Sequence, residues 1–283
     1  MLAGVFAAVS FSSLLLGIAQ PLASFRLCLA GGCLLILIGD EKVAMSWVTK
    51  LGIQVAATIV LVWGMVPVVT LPFGLVEGLA AIIFAALVLV YTQNIYNFMD
   101  GLDGLSGLTA CVSGGMLYAL YLPVYSELSV LCLSIGTAAF GFVVWNLPPA
   151  RIFMGDVGSH FLGLAFAWTA LSGEAYGVPF YIGILPLGAF LFDATYTIIR
   201  RLGRAENVTR AHRFHLYQRL HRSGSSALAV DGVYVVWTVL FGATAISLST
   251  GSHAMILVPM VVILSVAITV VTEIRWTRKG EST

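Results

Sequence analysis

Apolar runs separated by short polar punctuation dominate the chain. Residues 2–20, 27–39, 51–76, 78–99, 104–126, 128–150, 157–173 and 175–192 contain no Asp, Glu, Lys or Arg. The stretch 232–272 adds 41 more uncharged residues. At about 1.5 Å per residue that stretch is roughly twice a ~30 Å hydrocarbon layer, and Ser249-Thr250-Gly251-Ser252 offers a hinge in its middle. The runs do not alternate apolar and polar residues as barrel strands do, and backbone amides in lipid must be satisfied within the segment, so the pattern predicts helices. Ten spans follow, near 2–20, 22–39, 51–71, 75–93, 105–122, 128–147, 157–173, 178–200, 228–248 and 253–273. The expectation is an all-α polytopic membrane protein, one transmembrane domain over 1–283, with its longest polar connection at 201–227. No internal repeat is visible.

Composition agrees. Of 283 residues, 59% are apolar and 10% charged, against roughly 25% charged in soluble domains. Mean hydropathy is +0.99. A water-soluble globule of this size cannot hide that much apolar surface. A net charge of +1 and the lack of a long basic run before the C-terminal third exclude nucleic acid as a partner. Cys28, Cys33, Cys111 and Cys132 lie in apolar stretches without a CxxC pair and read as inert small hydrophobes. No Lys or Arg precedes Arg26, so the first span lacks the basic region of a cleaved signal peptide.

With ten spans, 13 of the 14 Lys and Arg residues fall on one side, leaving Arg26 on the other. The positive-inside rule makes that side cytoplasmic. Most acids share it, so the chemistry is expected at the cytoplasmic surface.

Four polar constellations stand there. Asn94, Asn97, Asp100 and Asp103 recur every three residues, a spacing that would align them on one helical face at a span end. Carboxylates at membrane depth are costly and call for a cation or a donor-rich ligand; a solvated helix end with Asp-Gly turns is the plainer alternative. Gly155-Asp156-Val157-Gly158-Ser159 opens the span at 157, after the helix-breaking Pro148-Pro149. Asp156 could hold a divalent ion there, or simply cap the helix. Asp40-Glu41, with Lys50 and Gln54 downstream, is a candidate base or metal site, or a charge cluster ending a span. His212, Arg213, His215 and Gln218 lie in the 201–227 connection with Arg204, Arg210, Arg219 and Arg222, an anion-seeking segment. Zinc is a weak rival for it, and contact with anionic lipid the plain one. Asp193, inside a span, is either functional or an ion-pair partner for an Arg of that connection.

Together these residues resemble the polyprenyl-phosphate N-acetylhexosamine-1-phosphate transferases, the superfamily that includes phospho-MurNAc-pentapeptide translocase. The resemblance covers about residues 35–225 and rests on Asp40-Glu41 with Lys50-Leu51 and Gln54, Asn94–Gly107, Gly155–Ser159, Asp193 and His212–Gln218. It implies transfer of an N-acetylhexosamine 1-phosphate from a UDP-N-acetylhexosamine to undecaprenyl phosphate in the bilayer of a bacterial inner membrane, an early step of cell-envelope polysaccharide synthesis. It implies Mg²⁺, with Mn²⁺ as the substitute, held by Asp156 and Asn97. Asp40 would be the base toward the lipid phosphate, with Glu41 beside it. Asp100 and Asp103 would shape the catalytic metal–nucleotide pocket. Lys50, Asn94, Asp193, His212, Arg213, His215 and Gln218 would hold substrate. The His-Arg-x-His form resembles O-antigen-type enzymes rather than the MurNAc-pentapeptide enzymes, which usually show consecutive histidines.

The family's usual acid pair is Asp-Asp, and Glu41 replaces the second. Family members also tend to begin with a further span and a basic loop; this chain opens at what corresponds to the second span. A transporter would spread polar groups through the membrane depth, and an inactive scaffold would bind partners without transfer. The sequence leaves the oligomeric state open, a homodimer included.

Overall fold

The computed structural model describes residues 45–62, 68–72, 74–124, 126–206, 214–252 and 254–280. The spans expected at 2–20 and 22–39, Cys28, Cys33, Asp40, Glu41, His212 and Arg213 lie outside the described residues.

The architecture is all-α and that of a polytopic membrane protein. Helix α1 (Trp47–Val62) leads to a two-stranded ribbon, β1 (Val68–Leu71) and β2 (Gly74–Glu77). Then follow α2 (Gly78–Phe98), α3 (Leu105–Tyr121), α4 (Ser126–Asn146), α5 (Gly155–Ser172), a short α6 (Phe180–Gly183), α7 (Gly188–Leu202), α8 (Leu216–Arg222), α9 (Ala227–Thr250) and α10 (Ala254–Gly280). Among the described residues, five helical stretches are long and apolar enough to cross a membrane: Gly78–Phe98, Leu128–Asn146, Phe180–Leu202, Ala227–Thr250 and Ile256–Arg278.

The helix read over 51–71 needs correction. Helix α1 is described as Trp47–Val62, and Val68–Leu71 pairs antiparallel with Gly74–Glu77, in the register Val68↔Glu77 to Leu71↔Gly74. Val68, Val69 and Thr70 are β-branched and suit a strand. Pro72 ends it, and Gly74 (φ 146°) takes a conformation closed to most side chains. The Glu174 carboxylate accepts bonds from Thr70 N (2.7 Å), Thr70 Oγ1 (2.7 Å) and Phe180 N (2.5 Å), tying the ribbon to the far end of α5. The span read as 178–200 is likewise assembled from α6, a 3₁₀ turn at Leu185–Leu187 and α7. Pro186 interrupts the helical ladder there, and Ser113 Oγ donates to the Pro186 carbonyl at 2.8 Å.

Helix α5 is the hub. Its residues from Gly158 to Leu171 are all buried, and it packs against α1, α2, α3, α4 and α6. Small residues set the closest approaches, as lipid-embedded packing requires. A Cβ on Gly163 would lie 2.6 Å from the Thr92 carbonyl and 2.8 Å from Gln93 Cα, so α5 and α2 touch backbone to backbone. One on Gly114 would lie 2.6 Å from Gly136 Cα, which does the same for α3 and α4. Gly163→Leu should therefore push α2 from α5, at a cost of about 1–3 kcal/mol in unfolding experiments. It should also impair whatever chemistry the adjoining ends of these two helices support.

Asp156 and Glu174 mark opposite ends of α5, roughly 27 Å apart at 1.5 Å per residue. The polar residues described next all gather at the Asp156 end.

Candidate active site

Helix α2 stops at Phe98, and Met99 caps it in a helical conformation. The expected single face of four polar residues is therefore split. Asn94 and Asn97 stay in the last turns of α2, whereas Asp100 and Asp103 lie in the tight loop to α3. Gly104 (φ 88°) makes the reversal possible. Gly101 permits close approach: a Cβ there would sit 2.2 Å from the Tyr217 hydroxyl.

Asp156 is the centre of the cluster. It lies in the first turn of α5, one residue inside the start of the helix, and its carboxylate is taken up by side chains of two other helices. Its Oδ2 accepts from Lys50 Nζ at 2.9 Å and its Oδ1 from Asn97 Nδ2 at 3.1 Å. Asn97 Nδ2 also donates to Ser159 Oγ at 2.9 Å. Three helices thus deliver one carboxylate, one amide and one ammonium to one point. Asp156 precedes the apolar run of α5; burial pushes its carboxyl up, but the bonds from Lys50 and Asn97, with the charges of Lys50 and His160, outweigh that and hold it below the usual range.

Asp100 completes the cluster on the loop side. Its Oδ1 accepts a short bond from Ser106 Oγ. Burial pushes its carboxyl up to about 7; the Ser106 bond works against this rise, and the neighbouring charge of Asp156 adds to it. Near neutral pH the two acids thus differ: Asp156 is ionised and Asp100 is close to its own midpoint.

A polar seam runs inward from this cluster. Asn94 Nδ2 donates to Gln54 Oε1 at 2.7 Å, and Gln54 Nε2 lies 3.4 Å from His160 Nε2. Sequence reading missed His160, although its place one turn after Asp156 puts both on one face of α5. Asn94 therefore supports the α1–α2 contact rather than facing the Asp156 carboxylate.

Asp103 turns elsewhere. Its Oδ2 accepts from Ala150 N at 3.0 Å, and Gly104 N donates to Asn146 Oδ1 at 3.0 Å. Asn146 Nδ2 in turn donates to Ile152 O at 2.8 Å. Asp103 and Asn146 thereby fix the 147–154 loop that carries the chain to Asp156. Asn146 was also missed; only its place before Pro148-Pro149 hints at it.

Asp193 is fully buried, and among the described residues no arginine pairs with it. It binds the start of α8: Oδ1 accepts from Leu216 N at 2.8 Å, and Oδ2 from Tyr217 N at 3.2 Å and Tyr234 Oη at 2.5 Å. His215 Nδ1 lies 3.4 Å from its Oδ1. Gln218 Oε1 accepts from His215 N at 3.2 Å, and Tyr217 Oη donates to the Phe98 carbonyl at 3.0 Å. The far end of α8 is held by Glu273 of α10, which pairs with Arg219 at 2.8 Å and Arg200 at 2.9 Å. His215 and Gln218 are thus set beside the Asp100 loop by α7, α9 and α10. A cavity of about 350 Å³ opens between loop and helix, lined by Gly101, Leu102, Tyr217, Gln218, His221 and Arg222.

The structure thus gathers Lys50, Asn97, Asp100 and Asp156 into one cluster and sets His215 and Gln218 against the loop that carries Asp100. Asn94, Asp103 and Asp193 are engaged in holding that arrangement together.

Comparison with known proteins gives a consistent result. The model of the family described as glycosyl transferase family 4 matches residues 24–174. The chain is 31% identical over 239 residues to a Bacillus subtilis protein named probable undecaprenyl-phosphate N-acetylglucosaminyl 1-phosphate transferase, which covers 78% of this chain and 65% of that protein. It is 27% identical over 279 residues to the decaprenyl-phosphate N-acetylglucosaminephosphotransferase of Mycobacterium tuberculosis, covering 84% and 68%. It is 28% identical over 177 residues to the phospho-N-acetylmuramoyl-pentapeptide-transferase of a Nostoc species, covering 59% and 46%. The chain spans about two thirds of the length of the first two and about half of the third.

Proposed function

Because this chain belongs to glycosyl transferase family 4, we propose that it moves an N-acetylhexosamine 1-phosphate from a UDP-linked sugar to a polyprenyl phosphate, releasing UMP. The reaction would run at the cytoplasmic surface of a bacterial inner membrane. The observation that carries this reading is the meeting of Asp156, Asn97, Lys50 and Asp100 at one end of α5. Both reactants are phosphates, so bringing them together needs cations and donors fixed in advance.

In this reading an oxygen of the acceptor phosphate attacks the sugar-proximal phosphorus. A new P–O–P linkage forms, the old one breaks, and UMP leaves with the bond electrons. Lys50, whose ammonium bonds Asp156 at 2.9 Å, would turn that ammonium toward a phosphate oxygen. His215 and Gln218 hold the donor's diphosphate or sugar, with Arg213 and His212 of the same segment. Asp40, with Glu41, takes the acceptor proton when that phosphate arrives as a monoanion. Asp100 and Asp103 shape the nucleotide side.

The donor set fits Mg²⁺, with Mn²⁺ as an alternative. Among the described residues no three His, Cys, Asp or Glu side chains form a closed cage. Asp156 and Asp100 offer hard oxygen ligands, and Mg²⁺ commonly uses one or two carboxylates together with substrate phosphates and water. Asp156 and Asn97 would hold it, and when bound it would offset the phosphate charge and ease departure of UMP.

The form His212-Arg213-Phe214-His215 and the names of the Bacillus and Mycobacterium relatives favour a UDP-N-acetylglucosamine-like donor over a UDP-MurNAc-pentapeptide. The same reading gives a product that starts an envelope polysaccharide. Purified protein with undecaprenyl phosphate and a panel of UDP-N-acetylhexosamines should release UMP from one or a few donors, and chelation by EDTA should stop it. Release from no donor, or release unaffected by EDTA, would count against the proposal.

A further inference from the structure

One buried acid lies outside the Asp156 cluster. Asp231 is the last charged residue before the uncharged stretch 232–272, and it sits in the second turn of α9. Only 2% of it is exposed, and neither of its carboxyl oxygens has a hydrogen-bond partner. Helix capping does not account for it. Ser226 caps α9 by accepting from Ala229 N at 3.2 Å, and Asp231 lies beyond the first turn. Ion pairing does not account for it either, since among the described residues no Lys, Arg or His pairs with it.

Asp231 faces the reversal between α2 and α3. A Cβ on Gly104 would lie 2.5 Å from Asp231 Oδ2 and 3.5 Å from Pro148 Cδ, so the carboxylate fits only because that residue is glycine. The backbone donor at this point is already spent, for Gly104 N bonds Asn146 Oδ1 at 3.0 Å. The neighbour whose charge reaches Asp231 is another acid, Asp103. Among the described residues Asp103 engages only its Oδ2, on Ala150 N. Two carboxyls thus stand at the Gly104 turn, one from α9 and one from the loop. Asp231 Oδ1, Asp231 Oδ2 and Asp103 Oδ1 remain for a further partner.

Like charges at a buried turn require a neutralising group. A proton shared between the two acids would join them by a hydrogen bond, and Asp231 makes none. A water would occupy lone pairs but leave both charges in place. A divalent cation offsets both charges and takes oxygen ligands, and two carboxylates with backbone carbonyls or water suffice for it without a closed protein cage. We propose that Asp231 and Asp103 hold a divalent cation of the Mg²⁺ or Ca²⁺ class, at a site separate from Asp156. Bound there, the ion ties the start of α9 to the Asp100–Gly104 loop. Through the bond from Ala150 to Asp103 it also steadies the 147–154 loop that leads to Asp156. The site is a clasp between segments, and it stands whether or not the proposed transfer reaction does.

Titration with Mn²⁺, followed by its electron paramagnetic resonance signal on the full chain in detergent, tests the site. The Asp156→Asn protein, which lacks the ligand proposed for the reaction's own metal, should still bind about one Mn²⁺ per chain. Asp156→Asn with Asp231→Asn should bind none, and Asp156→Asn with Asp103→Asn should bind it roughly tenfold or more weakly. Asparagine matches aspartate in size, so the change removes charge and leaves the packing. A second measurement needs no change at Asp231: the Asp156→Asn protein should unfold at a higher temperature in Mn²⁺ than in EDTA. Absence of Mn²⁺ binding or of that rise in the Asp156→Asn protein would overturn the site. So would equal binding with and without Asp231, or an Asp231→Asn protein that unfolds at a higher temperature than wild type in Mn²⁺ and EDTA alike. None of these readings uses sugar transfer, so failure here and failure of the proposed reaction are told apart.

Discussion

In the Asp156→Asn protein, release of UMP should fall by roughly 10³-fold or more, with the fold intact. Asparagine keeps the shape and can still accept from Lys50 or Asn97, which bind the carboxylate at 2.9 and 3.1 Å. What it loses is the negative charge, and with it the hard ligand that a divalent ion needs. Several kcal/mol of charge stabilisation in the transition state correspond to a factor of this size. The measurement is UMP release at saturating donor and acceptor, beside a thermal unfolding curve of the detergent-solubilised protein. Activity within tenfold of wild type would show that Asp156 is not the centre of the chemistry. Loss of activity together with loss of the folding transition would assign it a structural role.

Much of this site is legible in the sequence because intramembrane charge is expensive. Asp156 and Asn97 stand out since polar groups in an apolar context call for a partner or a cap, and the structure brings them within hydrogen-bond distance of each other. The helices are legible for the same reason: uncharged runs of the right length have few alternatives in lipid. What the sequence hides is direction. Asn94, Asn97, Asp100 and Asp103 look equivalent at a spacing of three, yet the helix ends at Phe98 and Gly104 reverses the chain. The four then reach Gln54, Asp156, Ser106 and Ala150 respectively. Spacing cannot reveal that, because a positive φ at one glycine decides it. The ribbon at 68–77 was hidden by its apolar character, since Val68 and Val69 are as suited to a buried helix as to a strand. Its fixing partner, Glu174, lies about 100 residues away, a pairing that no local pattern reveals.

Asp193 is another kind of buried acid, one that holds a segment in place, and under the proposed function its effect would reach the substrate through that segment. Its carboxylate binds the backbone N–H groups of Leu216 and Tyr217, the Tyr234 hydroxyl and the Thr197 hydroxyl, all in a fully buried setting. Asp193→Ala would leave at least two backbone donors and one phenol unpaired at the start of α8. Each orphaned buried donor costs about 1–3 kcal/mol, so the change should destabilise the protein by at least about 3 kcal/mol or release α8 locally. Local release is the cheaper outcome, because α8 is a short helix whose other anchors include the Tyr217 bond to the Phe98 carbonyl and the pairing of Arg219 with Glu273 of α10. Hydrogen exchange should then show faster exchange over residues 216–222 while α5 stays protected. The KM for the UDP-sugar should rise more than kcat falls, since His215 and Gln218 leave the Asp100 loop while Asp156 and Asn97 stay in place. Asp193→Asn keeps one acceptor oxygen and should lie between the two. Slow exchange over 216–222 in Asp193→Ala would mean that the rest of the bundle holds α8 by itself, and a fall in kcat at unchanged KM would put Asp193 in the chemistry instead.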